Sequence, residues 1–201
     1  MLIRILIIIA FCSSITAHAA PVILIYGDSL SAGYGLPKDT GWANLLTQRL
    51  QQKKLSYQVI NASISGETTT GGLYRIEQAL ATHKPTIVII ELGANDGLRG
   101  LPLNTMRNNL EGMIQAGRTH HAKIVIIGMQ LPPNYGKAYT EKFQHTYIDL
   151  ATQYKLQLVP FMLEGFAGKR TLFQADNLHP TVEAQPLILD NVWKALQPLL
   201  K

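Results

Sequence analysis

Five short strand-like runs, at 22–26, 57–61, 86–92, 123–129 and 156–160, alternate with longer stretches whose apolar residues recur every three to four positions. No other feature of the chain restricts its fold so tightly. Runs such as Ile23-Leu24-Ile25-Tyr26 are short and apolar at every position. They read as strands buried on both faces. The stretch 41–53 places Trp42, Leu45, Leu46 and Leu50 on one helical stripe; 72–82 does the same with Leu73, Ile76, Ala79 and Leu80. In 104–119 the stripe is Met106, Leu110, Met113, Ile114 and Gly117, and 139–154 and 181–200 complete the set. Strands alternating with helices form a parallel sheet, because the crossovers lay helices over both faces. The expectation is a three-layer α/β/α sandwich around a five-stranded parallel sheet. There is no internal repeat and no linker, so 20–201 reads as one domain.

The first 19 residues read differently. Arg4 precedes an apolar run from Ile5 to Cys12, and Ala17-His18-Ala19 is a small-x-small cleavage signature. This predicts a secretory signal peptide cleaved after Ala19. The run is too short to span a bilayer, so the expected product is periplasmic or secreted, with no stable membrane anchor. Cys12 is the only cysteine. The mature chain would therefore carry no disulfide and no thiol nucleophile, and its stability would rest on core packing. The formal net charge of +5 falls by one when Arg4 is lost. The basic residues are scattered, without a stripe or interleaved aromatics, which argues against a nucleic-acid partner.

Several chemistries fail on spacing. Gly27 to Gly35 does not make G-x-G-x-x-G, and no P-loop is present. No H-E-x-x-H occurs, and His120 and His121 are adjacent, so they point apart. Glu141 and His145 share a helical face, but two ligands do not make a zinc site. No metal and no cofactor is expected.

What remains lies where runs end. The first stops at Gly27-Asp28-Ser29-Leu30, where a glycine permits a tight turn toward a helix. Open α/β sheets bind ligands at this carboxyl edge. A serine there becomes a nucleophile only if a base takes its proton; the competing reading is that Asp28 and Ser29 merely cap a helix. Asp176-Asn177-Leu178-His179 offers the base: an acid and a histidine three apart in one turn, with the acid on Nδ1 and Nε2 left free. The loops Ser65-Gly66-Glu67 and Gly93-Ala94-Asn95-Asp96 follow the second and third runs. Gly66 supplies an unhindered backbone N–H and Asn95 a side-chain amide. With the Ser29 N–H they would make a three-donor oxyanion hole.

Together, Gly27-Asp28-Ser29-Leu30, Gly66, Gly93-Ala94-Asn95-Asp96 and Asp176-Asn177-Leu178-His179 resemble the four motif blocks of the SGNH, or GDSL, hydrolases. The resemblance runs from about Val22 to the C-terminus. Asn95-Asp96-Gly97-Leu98-Arg99-Gly100, Leu131-Pro132-Pro133-Asn134-Tyr135-Gly136 and Ala184-Gln185-Pro186 are most like the periplasmic multifunctional thioesterase, lysophospholipase and arylesterase branch. The resemblance implies a flavodoxin-like fold with Ser29 as nucleophile, His179 as base and Asp176 as its orienter. It also implies Ser29, Gly66 and Asn95 as oxyanion donors. The G-x-S-x-G elbow of the general α/β-hydrolases is missing, because Ser31 stands where the second glycine would be.

The expected activity is hydrolysis of small-molecule acyl esters and thioesters, such as aryl esters, acyl-CoA and lysophospholipids, through an acyl-serine, by a monomer. One rival is a carbohydrate-ester deacetylase of the same clan, which would need a polar, open site. Another is a non-catalytic envelope binding protein, which a serine-directed fluorophosphonate would not label. Leu98, Leu101 and Leu131 sit in loops rich in Gly and Pro. They are expected to form an apolar wall for the acyl chain; tucking into the core is the alternative.

Overall fold

The computed structural model describes residues 20–201; the expected leader, 1–19, lies outside the described residues. Five strands form one parallel sheet: β1 (Val22–Gly27), β2 (Gln58–Asn61), β3 (Ile87–Glu91), β4 (Lys123–Ile127) and β5 (Gln157–Val159). Their spatial order is β2-β1-β3-β4-β5. In register, Ile23 pairs with Val59 on one side and Ile87 on the other, while Val88 pairs with Ile124. Seven α-helices connect or follow them: α1 (Ser29–Ala32), α2 (Trp42–Gln52), α3 (Thr69–His83), α4 (Ala94–Leu98), α5 (Leu103–Thr119), α6 (Lys137–Tyr154) and α7 (Gln185–Leu196). The pair α2 and α7 pack together over one face; α3, α5 and α6 lie side by side over the other. This is the expected three-layer sandwich.

The centre of the sheet is buried because its sequence leaves it no polar face, whereas edge strand β2 keeps Gln58 and Asn61 exposed. Ile23, Leu24, Ile25, Ile89 and Ile90 are fully inaccessible. Each such side chain contributes roughly 1.5–3 kcal/mol by leaving water. Trp42, Phe143 and Tyr147 close the core from the helical layers. Helix α3 begins three residues before the apolar stripe suggested, because the Asp96 carboxylate accepts from the Thr69 N–H at 2.9 Å and caps it. The last helical stretch is shorter than expected: Pro186 and Pro198 confine α7 to 185–196, with 3₁₀ turns on either side.

The strand order fixes where a site belongs. From β1 the chain goes to β2 on one side and to β3 on the other, so the connections after β1 and β3 diverge across the sheet. They leave a crevice at the carboxyl ends of these two strands. Ser29 and Asn95 both lie just beyond those ends.

Candidate active site

The turn after β1 is set by close packing. A Cβ on Gly27 would stand 2.6 Å from Glu91 Oε2 and 2.9 Å from the Glu91 carbonyl, so only glycine fits. The chain then turns into α1, whose first residue is Ser29. Asp28 Oδ1 accepts from the Leu30 N–H at 3.0 Å, so Asp28 does cap this helix. Ser29 does more: its Oγ lies 2.8 Å from His179 Nε2. The capping reading therefore holds for Asp28 and does not exhaust Ser29.

His179 is held by its own loop. Nδ1 lies 2.7 Å from Asp176 Oδ2, while Asp176 Oδ1 accepts from the Leu178 and His179 N–H groups at 2.9 and 3.0 Å. Partial burial opposes ionisation of Asp176, but these donors outweigh it and hold the carboxyl down at about 2. An ionised acceptor on Nδ1 keeps the ring proton there and leaves Nε2 facing Ser29. The loop is closed by an antiparallel bridge from Phe173 to Pro180 and by the Gln174 N–H on the His179 carbonyl at 2.7 Å. Gln174 Nε2 donates to the Tyr34 carbonyl at 2.9 Å, and the Tyr34 ring packs on the imidazole with centroids 4.6 Å apart.

Gly66 sits third in a β-turn closed by the Glu67 N–H on the Ile64 carbonyl, at φ +79°, where glycine is favoured. Among the described residues, neither the Ser29 nor the Gly66 N–H has a partner. The Asn95 amide is engaged: Nδ2 donates to Asp28 Oδ2 and to the Glu67 carbonyl, both at 3.0 Å. An oxyanion would have to draw on an amide hydrogen already held by one of these two acceptors.

Ser29, His179, Gly66 and Asn95 border a cavity of about 740 Å³. Its remaining walls are mostly apolar: Leu98, Met129, Leu131 and Pro132 on one side, and Phe161, Leu163, Ala167, Gly168 and Phe173 on the other.

The model of the GDSL-like lipase/acylhydrolase family matches residues 25–186. The chain belongs to this family. Its relatives include an esterase, TesA, of Pseudomonas aeruginosa, 50% identical over 182 residues that cover 90% of each chain. They also include an Escherichia coli protein named thioesterase 1/protease 1/lysophospholipase L1, 41% identical over 92% of this chain and 87% of that one. A crystal structure of TesA superposes with a TM-score of 0.87 at 49% identity, covering 89% of this chain and 99% of that one.

In this GDSL-like acylhydrolase Ser29, His179, Gly66 and Asn95 line one cavity, and Asp176 reaches it only through its bond to His179. Two of the three expected wall leucines line it, Leu98 and Leu131. Leu101 does not, and that expectation is corrected. Its N–H bonds to the Asp96 carbonyl at 2.9 Å and its carbonyl accepts from Tyr139 at 3.2 Å. Those backbone bonds fold the segment onto α4 and α6, away from the cavity. Leu103, in the same apolar segment, is in the core. The wall that sequence reasoning missed comes from the segment between β5 and α7. Its Phe161, Leu163 and Phe173 carry the right chemistry, but no periodicity marks them. Among the described residues no cluster of three or more His, Cys, Asp or Glu has metal-site geometry, and no helix is long and apolar enough to cross a membrane.

Proposed function

We propose that this acylhydrolase cleaves acyl esters and thioesters through an acyl-serine on Ser29. The observation that carries the reading is the unbroken chain from Ser29 Oγ through His179 to Asp176, at 2.8 and 2.7 Å, opening on an apolar cavity.

His179 Nε2 takes the Ser29 proton as Oγ attacks the substrate carbonyl. Asp176 holds Nδ1–H and offsets the charge of the imidazolium. The N–H groups of Ser29 and Gly66 and the Asn95 amide receive the developing oxyanion. His179 then protonates the leaving alcohol or thiol, activates a water on the acyl-serine, and returns the proton to Ser29 as the acid departs. No step asks for a metal or a cofactor. The acyl chain lies along Leu98 and Leu131 and against Phe161 and Phe173; each methylene they cover adds about 0.8 kcal/mol of binding. The same apolar lining counts against a carbohydrate-ester deacetylase.

The E. coli relative's name supports thioesters and lysophospholipids as substrates beside simple esters. With the leader motif at Ala17-His18-Ala19, we read the mature enzyme as exported and starting at Ala20.

The test is a hydrolysis panel of aryl esters, CoA thioesters and lysophospholipids at several acyl lengths, run with Ser29→Ala alongside. Wild type should react with a fluorophosphonate and turn over esters and thioesters; Ser29→Ala should do neither while keeping its circular dichroism. Turnover near wild type in Ser29→Ala would overturn the nucleophile assignment. A folded wild type that neither labels nor turns over would leave a binding protein.

A further inference from the structure

Beneath the nucleophile lies a pair of buried acids that the reaction just described does not use. Glu91 ends β3 and is 1% exposed; Asp28, on the neighbouring turn, is also 1% exposed. Glu91 Oε2 meets Ser31 Oγ at 2.7 Å and the Asp28 N–H at 3.3 Å, while its Oε1 has no hydrogen-bond partner. Among the described residues, neither acid forms an ion pair with a Lys, Arg or His. Asp28 is better served, with one oxygen on the Leu30 N–H and the other on the Asn95 amide.

Two adjacent buried carboxylates without a cation do not both ionise. An ionised Glu91 would place charge on a bare oxygen in the interior, far costlier than a neutral acid there. We propose that Glu91 and Asp28 are positioning residues: the pair shares one proton, Glu91 carries it, and the Asp28 carboxylate left ionised aims the Asn95 amide at the forming oxyanion.

The electrostatics run the same way. Burial pushes both carboxyls up, and the neighbouring Asp28 charge pushes Glu91 the same way. The Leu30 N–H and the Asn95 amide hold Asp28 down. Tyr147 of α6 and Asp96 of α4 share this surrounding; burial above all pushes the Tyr147 phenol up, so it adds no charge of its own. The arrangement gives Asn95 an acceptor that fixes its rotamer while Glu67 holds the same nitrogen.

The role assigned to Asn95 rests on the proposed hydrolase function; the protonation of Glu91 does not, so the two are tested apart. In wild-type protein carrying ¹³C-labelled glutamate, one side-chain carboxyl should keep the protonated shift at pH 7 and vanish from the spectrum in Glu91→Gln. Every glutamate titrating near the usual value, about 4.3, would overturn the shared proton, and wild type alone suffices if Glu91→Gln does not fold. For Asn95 the readout is a double-mutant cycle. Asp28→Asn keeps a capping side chain but turns an N–H toward the amide. It should lower kcat by roughly 30- to 100-fold with KM little changed, and by less than about threefold in an Asn95→Ala background. Equal losses in both backgrounds would show that Asp28 does not act through Asn95.

Discussion

The hydrogen bonds of Asp176 set what two substitutions should do. Asp176→Asn leaves the loop's shape but offers Nδ1 a poorer acceptor, so kcat should fall on the order of 10⁴-fold with ester substrates. The same residue ties stability to acid. Its carboxyl is held down at about 2, below the unfolded value. Its contribution is thus fully present above the unfolded pKa and is lost as pH falls toward 2. Melting curves between pH 5 and 2 should show wild type losing more Tm than Asp176→Asn; parallel curves would contradict this. Asn95→Ala should lower kcat by roughly 10²–10³-fold with a smaller change in KM. A loss confined to KM would make Asn95 a binding residue. At this scale the sequence was readable where chemistry is short-range: Asp176 and His179 are three apart, and Ser29 follows a strand end. Tyr34 packing on His179 and Glu91 under Gly27 were not readable, because both contacts join segments far apart in the chain and no motif marks them. Glu91 was also disguised as the polar end of an otherwise apolar run.

Among the elements, strands and long helices were legible because burial marks both, with unbroken apolar runs in the central strands and a three-to-four period in the helices. The segment between β5 and α7 has neither. Its course is set by tertiary contacts: the Asn191 amide of α7 donates to the Met162 and Glu164 carbonyls at 3.1 and 3.0 Å, and Phe166 packs on Phe173. Helix α4 was hidden for another reason. It has five residues and starts after Gly93 at φ +115°, so its composition looks like a loop. The cavity walls yield substitutions of two opposite kinds. Leu98→Ala and Leu131→Ala remove covering surface and should weaken octanoyl and palmitoyl thioesters by about 1–3 kcal/mol in kcat/KM, sparing acetyl. Gly168 lines the cavity from the other side, without a left-handed φ, and a Cβ there meets nothing within 4 Å. Gly168→Phe should fold normally and shift preference toward short acyl groups. Equal losses at all chain lengths in these variants would reduce the wall to a packing role.

For the whole molecule, the sheet order brings together what the chain separates, and the core carries the stability alone. Cys12 lies in the expected leader, so residues 20–201 hold no cysteine. The mature enzyme should melt at the same temperature with and without reductant, and mass spectrometry of the exported protein should find Ala20 at its start. A reductant-dependent Tm would point to a leader that is retained. The span between the active groups has a further consequence. Ser29 and His179 stand 150 residues apart, one at the beginning of the fold and the other just before its last helix. A ribosome makes the serine early and its base almost last. While the polypeptide is being made, it holds an alcohol no more reactive than any surface serine. Reactivity arrives only when the first strand and the last loop have met across the finished sheet. With Ser29 and His179 in their proposed roles, the enzyme is inert throughout its own synthesis, and fluorophosphonate labelling of this chain reports completed folding, not the mere presence of protein.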